Sequence, residues 1–236
     1  MLANKKILIT NDDSLSAQGI YNLTKKIYKY TKDILVIAPK EENSAVSHKL
    51  TIRSGIKVTK ETPIYKDILT YSVVGTPADC VKYGIVGLGF HPDYVISGIN
   101  DGLNLGNDIL YSGTVAACFE AGLNNVKAIA FSIEKNGNYL TNEIEKVLEY
   151  ISNNPKLRNK KILNVNIPQN NIGIKITHQG LNPFDSEYVF RDGEYYSIGK
   201  PLGKDIKQDS NSDVLSYHEG YISITPLTID RTDWND

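Results

Sequence analysis

Apolar positions along this chain follow two alternating rhythms. Residues 6–10 form a short β-rich run that stops at three polar residues, Asn11-Asp12-Asp13. Over residues 17–30 the spacing becomes helical, with Ile20, Leu23, Ile27 and Tyr30 on one face. Ile34-Leu35-Val36-Ile37-Ala38 is then continuously apolar and is closed by Pro39. A strand that is apolar on both faces has no side left for water, so this strand–helix–strand order predicts a parallel sheet with helices on both sides. The alternation continues with strands expected over 70–74, 94–97, 128–132 and 162–167. Helices are expected between them over 77–88, 113–123 and 141–152, the first with Pro77 in its opening turn. The predicted fold is a doubly wound α/β core over residues 1–170.

Beyond residue 170 the pattern changes. Residues 188–197 are aromatic and β-branched around Asp192-Gly193, a strong hairpin signal. Residues 199–212 read as a polar loop and 220–226 as a late strand. Residues 171–236 are therefore expected to form a β-rich extension packed on the core. A hairpin that cannot bury both faces on its own core tends to pack on a second subunit, which predicts a homo-oligomer.

Charge narrows the function classes. The chain has 236 residues with 26 Lys and Arg against 27 Asp and Glu, so it lacks the basic surplus of a nucleic-acid binder. Its two cysteines, Cys80 and Cys118, sit in apolar stretches without metal-ligand spacing and read as buried thiols in a reducing compartment. The opening apolar run is too short for a signal peptide, and no run reaches the roughly 18 apolar residues needed to span a membrane. A soluble, cytoplasmic protein is expected.

Two segments carry candidate chemistry. Asn11-Asp12-Asp13 falls where the first strand ends, the edge of an open α/β sheet at which ligands bind. Adjacent carboxylates repel unless a cation lies between them, although one Asp could simply cap the following helix. The second segment runs over residues 92–122. After the strand ending at Ser97, Gly98, Gly102 and Gly106 are interspersed with Asn100, Asp101, Asn104, Asn107 and Asp108, and Ser112-Gly113-Thr114 opens an Ala-rich helix. A helix N-terminus beside glycine offers free N–H groups and a positive dipole end, which suits phosphate; the plainer alternative is a Ser/Thr cap after a loop. The chain has no G-x-x-x-x-G-K-[ST], no G-x-G-x-x-G and no G-x-S-x-G. Its four histidines, His48, His91, His178 and His218, lack zinc spacing and read as structural or surface groups, His48 least firmly because it follows the Ser44 loop.

Seven blocks carry a family resemblance: Ile7-Leu8-Ile9-Thr10-Asn11-Asp12-Asp13; Val36-Ile37-Ala38-Pro39 with Ser44 beyond it; Gly75-Thr76-Pro77-Ala78-Asp79-Cys80-Val81; Ser97-Gly98-Ile99-Asn100; Asn104-Leu105-Gly106; Tyr111-Ser112-Gly113-Thr114-Val115-Ala116-Ala117; and Gly220-Tyr221-Ile222-Ser223-Ile224-Thr225-Pro226-Leu227. In this order they resemble the SurE (survival protein E) nucleotidases. The resemblance implies a Rossmann-like α/β/α core with a C-terminal β extension exchanged within homodimers or homotetramers. It also implies a divalent-metal-dependent phosphatase that hydrolyses nucleoside monophosphates by metal-assisted attack of water, with one Mg²⁺ or Mn²⁺ per subunit. Carried over, the metal ligands are Asp12, Asp13, Ser44 and Asn100, with Asp12 and Asp13 catalytic. The phosphate-binding residues are Asn104, Ser112, Gly113 and Thr114. The chain differs from the family pattern at Ser14, Gln18 and Glu41-Glu42, where glycine, proline and basic residues are usual.

An all-oxygen ligand set fits a hard cation such as Mg²⁺ or Mn²⁺ and not zinc. The phosphate blocks contain no Lys or Arg, so weak ground-state binding and strong metal dependence are expected. Two rival functions keep the same pocket: a serine hydrolase with Ser112 as nucleophile, and a nucleotide sensor without turnover.

Overall fold

The computed structural model describes residues 1–137, 139, 142–181, 184–201 and 209–232. Nine strands form one sheet in the order β3-β4-β2-β1-β5-β6-β7-β11-β8. Its centre comprises β1 (Ile7–Thr10), β2 (Ile34–Pro39), β4 (Leu69–Val74), β5 (Tyr94–Asp101), β6 (Lys127–Ile133) and β7 (Ile162–Ile167), paired in parallel. The chain leaves β1 toward β2 on one side and later returns to pair β5 on the other. Strand order thus reverses between β1 and β5, and in open α/β sheets this is where ligands bind.

Every residue of β1, β2 and β7 is buried, as continuous apolar runs require. Alternation splits them between two cores. Ile7, Ile9 and Val36 face helices α1 (Gln18–Ile27) and α4 (Glu143–Asn153), which contribute Ile20, Leu23, Val147 and Ile151. Leu8, Leu35 and Ile37 face the opposite layer, α2 (Pro77–Lys82) and α3 (Gly113–Leu123), with Cys80, Val81, Val115 and Cys118. Both cysteines are free and fully buried, and burial pushes both thiols up, which makes them inert packing groups.

Two antiparallel partners close the sheet. The short β3 (Lys57–Lys60) covers β4. At the other side β11 (Tyr221–Leu227) runs against β7 and carries β8 (Gly173–Ile176) at the edge. Segments on both sides of residue 170 therefore share one sheet. Among the described residues only the hairpin of β9 (Phe184–Arg191) and β10 (Glu194–Pro201) stands outside it. Its turn residues Asp192 and Gly193 both have positive φ, 52° and 87°, the geometry that the Asp-Gly pair favours.

Several local expectations change. Strand β5 continues past Ser97 to Asp101, because its register against β6 shifts between Ser97 and Asn100 and pairing then resumes. Gly98, at φ 125°, supplies the backbone conformation for that break. Helix α1 stops at Ile27 instead of Tyr30, and the expected 77–88 helix is α2 followed by a π-helical turn over Tyr83–Gly87. The expected polar loop over 199–212 lies largely outside the described residues, as does Thr141 at the start of the helix expected there. Short helices α5 (Pro155–Arg158) and α6 (Asp213–His218) complete the fold.

Candidate active site

At the switch point the C-terminal ends of β1 and β5 open into a cleft of about 670 Å³. Six of the residues singled out by sequence line it: Asp12, Asp13, Ser44, Asn100, Asn104 and Ser112. Asn11 folds its amide back onto the carbonyl of Ser14 at 2.7 Å, turning the chain so that the aspartates lie at the strand end. The Ser44 loop is tied in by the N–H of Asn43, which donates to the carbonyl of Asp12 at 2.8 Å.

Neither aspartate caps α1. That helix begins after Ala17 with no side-chain cap. Asp12 instead meets α3: its Oδ2 accepts from the backbone N–H of Thr114 at 3.0 Å, and its Oδ1 from the Thr114 hydroxyl. A carboxylate at a helix N-terminus is favoured by the helix dipole. The approach requires Gly113, because a β-carbon there would lie 2.9 Å from Cβ of Asp12. Thr114 is fully buried behind Asp12, so both of its donors serve the aspartate and not the cleft. Ser112 caps α3 by accepting from the N–H of Val115 at 3.1 Å, which leaves its own hydroxyl proton available.

No described residue pairs with the charge of the two carboxylates. Burial raises the pKa of Asp12 despite the Thr114 bonds. Burial, and then the neighbouring Asp12, push Asp13 up to about 6. The other oxygen groups are aimed by local bonds. Ser44 donates its hydroxyl proton to Glu42 at 2.7 Å, which leaves lone pairs for the cleft. Asn100 donates its amide N–H to the carbonyl of Gly102 at 2.7 Å, which frees its amide oxygen. Among the described residues no cluster of three or more His, Cys, Asp or Glu is arranged to hold a metal. The donor set at this cleft is two carboxylates, a hydroxyl and an amide oxygen. Such a set, with uncompensated negative charge, fits a hard divalent cation.

Sequence reasoning missed much of what supports these groups. Asn104 is clamped from β7: its N–H donates to Asn166 at 2.7 Å, and its carbonyl accepts from Asn164 and Asn166 at 2.8 and 3.1 Å. Two asparagines alternating inside an apolar strand were the available signal. Asp213, from the C-terminal part of the chain, holds the N–H of Gly106 at 3.0 Å and of Gly180 at 2.8 Å. No comparable pattern marks it in the sequence. Lys135 also lines the cleft, so a cation is present although the phosphate blocks contain none. His48 lies away from the cleft, bonded to Glu120 at 3.1 Å. No histidine lines the cleft wall, which leaves Ser112 without the base a serine hydrolase needs.

Residues 7–186 match the family model described as Survival protein SurE. The chain belongs to the SurE family. A protein named 5'-nucleotidase SurE from Caldanaerobacter subterraneus subsp. tengcongensis is 39% identical, over 99% of this chain and 95% of the relative. One of the same name from a Thermoanaerobacter species is 41% identical, over 98% and 94%. The crystal structure of the SurE protein from Aquifex aeolicus superposes with a TM-score of 0.80 at 32% identity, covering 97% of this chain and 95% of that one. The SurE match thus includes both the mostly parallel sheet and the strands that follow it. No helix among the described residues is long and apolar enough to cross a membrane.

Proposed function

We propose that this SurE-family chain is a divalent-metal-dependent 5'-nucleotidase that hydrolyses nucleoside monophosphates to nucleoside and phosphate. The observation that carries the reading is the adjacent pair of buried Asp12 and half-buried Asp13 at the sheet's switch point, both held above the ordinary carboxylate value, with Asp12 set against the N-terminus of α3. Family membership and the names of its relatives support the substrate class.

Asp12, Asp13, Ser44 and Asn100 would hold one Mg²⁺ or Mn²⁺, which when bound supplies charge stabilisation and activates water. Thr114 keeps Asp12 in place. Asn104, Ser112 and the first residue of α3, Gly113, receive the phosphoryl oxygens, where hydroxyl, amide and helix dipole stabilise developing charge. Asp13 is held on one oxygen by the N–H of Asp101 at 3.3 Å, and its other oxygen orients the attacking water and takes its proton. The water oxygen bonds phosphorus as the bond to the nucleoside oxygen breaks, and that oxygen takes up a proton from solvent, so the nucleoside leaves as an alcohol while the proton on Asp13 returns to solvent.

Self-association through the hairpin completes the reading. Tyr188 and Tyr195 are 70% and 71% exposed, and Phe190 packs on Tyr195 at 4.9 Å without covering it. Light scattering is expected to give a dimer or tetramer; a monomer at micromolar concentration contradicts this part.

Phosphate release from a panel of nucleoside monophosphates, with Mn²⁺, with Mg²⁺ and with EDTA, tests the activity. Release that requires metal is expected. A folded, metal-loaded protein that binds nucleotide without turnover would replace the enzyme with a sensor.

A further inference from the structure

Lys135 follows β6, just beyond Ile133, whose register partner is Asp101 on β5. That places it on the wall of the cleft, where it is exposed. The cleft is otherwise strongly acidic: Asp12, Asp13, Glu42, Asp101 and Asp108 all line it, and among the described residues Lys135 is the one cation that does. Despite this company, the Lys135 ammonium makes no hydrogen bond or ion pair with any described residue. Its turn, in contrast, is fixed. The N–H of Asn136 donates to Asp101 at 2.9 Å, and the N–H of Gly137 to the carbonyl of Glu134 at 2.7 Å. Glu134 is itself held by the N–H of Gln169 at 2.9 Å and the hydroxyl of Tyr217 at 3.0 Å. Asp101 also donates its own N–H to Asp13, so the Lys135 turn and the aspartate pair are anchored through one residue.

A pinned backbone that presents an unpaired ammonium to a cleft otherwise lined by carboxylates, at a site proposed to take a phosphate, leaves one role open. We propose that Lys135 is a substrate-binding residue that contacts the phosphoryl group, and that it is what admits a phosphate dianion to this cleft. The inference rests on the phosphatase reading and sharpens its substrate class. One dication and one lysine do not neutralise five carboxylates, so each further negative charge on a substrate is resisted. Monophosphates are thereby favoured over di- and triphosphates of the same nucleoside. Lysine suits the task as a flexible point charge that follows the phosphate from ground state to transition state.

The test uses the full chain, loaded with Mn²⁺, as wild type, Lys135→Met and Lys135→Arg. Two quantities are read: inorganic phosphate affinity by calorimetry, and KM and kcat for a nucleoside monophosphate and triphosphate. A charge-assisted contact at an exposed position corresponds to about a tenfold effect. Lys135→Met is expected to weaken phosphate binding and raise KM about tenfold each, with kcat changed much less. Lys135→Arg is expected to restore most of both, and thermal unfolding is expected to be the same in all three. Equal phosphate affinity and KM in wild type and Lys135→Met would overturn the proposal, as would wild-type protein that binds no phosphate. A wild type that binds phosphate through Lys135 but releases none from any nucleotide would instead sink the phosphatase reading and leave the binding role standing.

Discussion

Two groups of carboxylates withdrawn from solvent, fully in Asp12, Asp79 and Glu120 and partly in Asp13, behave in opposite ways. On the α2–α3 side, Asp79 and Glu120 are satisfied. Burial alone would raise Asp79, but bonds from Thr76 and Thr51 hold it below its ordinary value. Burial would likewise raise Glu120, but the His48 bond and the Lys82 charge hold it below. At the cleft, Asp12 and Asp13 are held above. Both groups lie in the same fold and carry the same functional group. The difference is that the first is closed by protein partners and the second is left open. A closed carboxylate stabilises the native state, whereas an open one is kept ready for a ligand at some cost in stability.

The sharpest way to break this contrast is Asp12→Asn. Phosphate release is expected to fall about 10³-fold, while the urea midpoint does not drop, because a like-charge neighbour has been removed. A large loss of stability would show that Asp12 is structural after all. Gly113→Ala should harm both properties: the new methyl group meets Asp12, at a cost of about 1–3 kcal/mol and with a clear loss of activity. Asp79→Ala should do the reverse of Asp12→Asn. It removes a capping box and the Thr51 bonds, about 2 kcal/mol by urea denaturation, with kcat per folded molecule retained. The smallest effect is with pH. Because the folded pKa values of Asp79 and Glu120 are depressed, their contribution is fully present above the ordinary values of 3.8 and 4.5. It is lost as pH falls through the lower folded values. Stability should therefore decline on the acid side of about pH 4.5, and Glu120→Gln should flatten that decline; an unchanged slope would mean that Glu120 is not held by charge.

The same contrast explains what the sequence made legible. The central strands were plain because strands such as Ile34–Pro39 are apolar on both faces, and α1 and α4 because their buried residues recur at helical spacing. The cleft residues Asp12 and Asp13 were visible because they come just after the end of β1, and Asn100 because it stands in the run rich in Asn and Gly that follows Ser97, although β5 itself extends to Asp101. Strands β3 and β8 were not foreseen: each has only four residues, none of them buried, and each is defined by its partner strand. The supports were hidden for a related reason. Thr114 looked like a phosphate ligand because its hydroxyl opens a helix, but tertiary packing brings Asp12 to that helix first. Lys135 reaches the cleft, and Asp213 the neighbouring loop at Gly106, from elements distant in sequence, and only the sheet order brings them there.

The central claim is that the open pair is a cation site. Calorimetric titration of Mn²⁺ into the metal-free chain and into Asp13→Asn tests it most directly. One ion per chain is expected in the wild type, with binding weakened at least tenfold or lost in the variant, whose fold is retained. Equal binding by both proteins, or no binding by the folded wild type, would contradict the account.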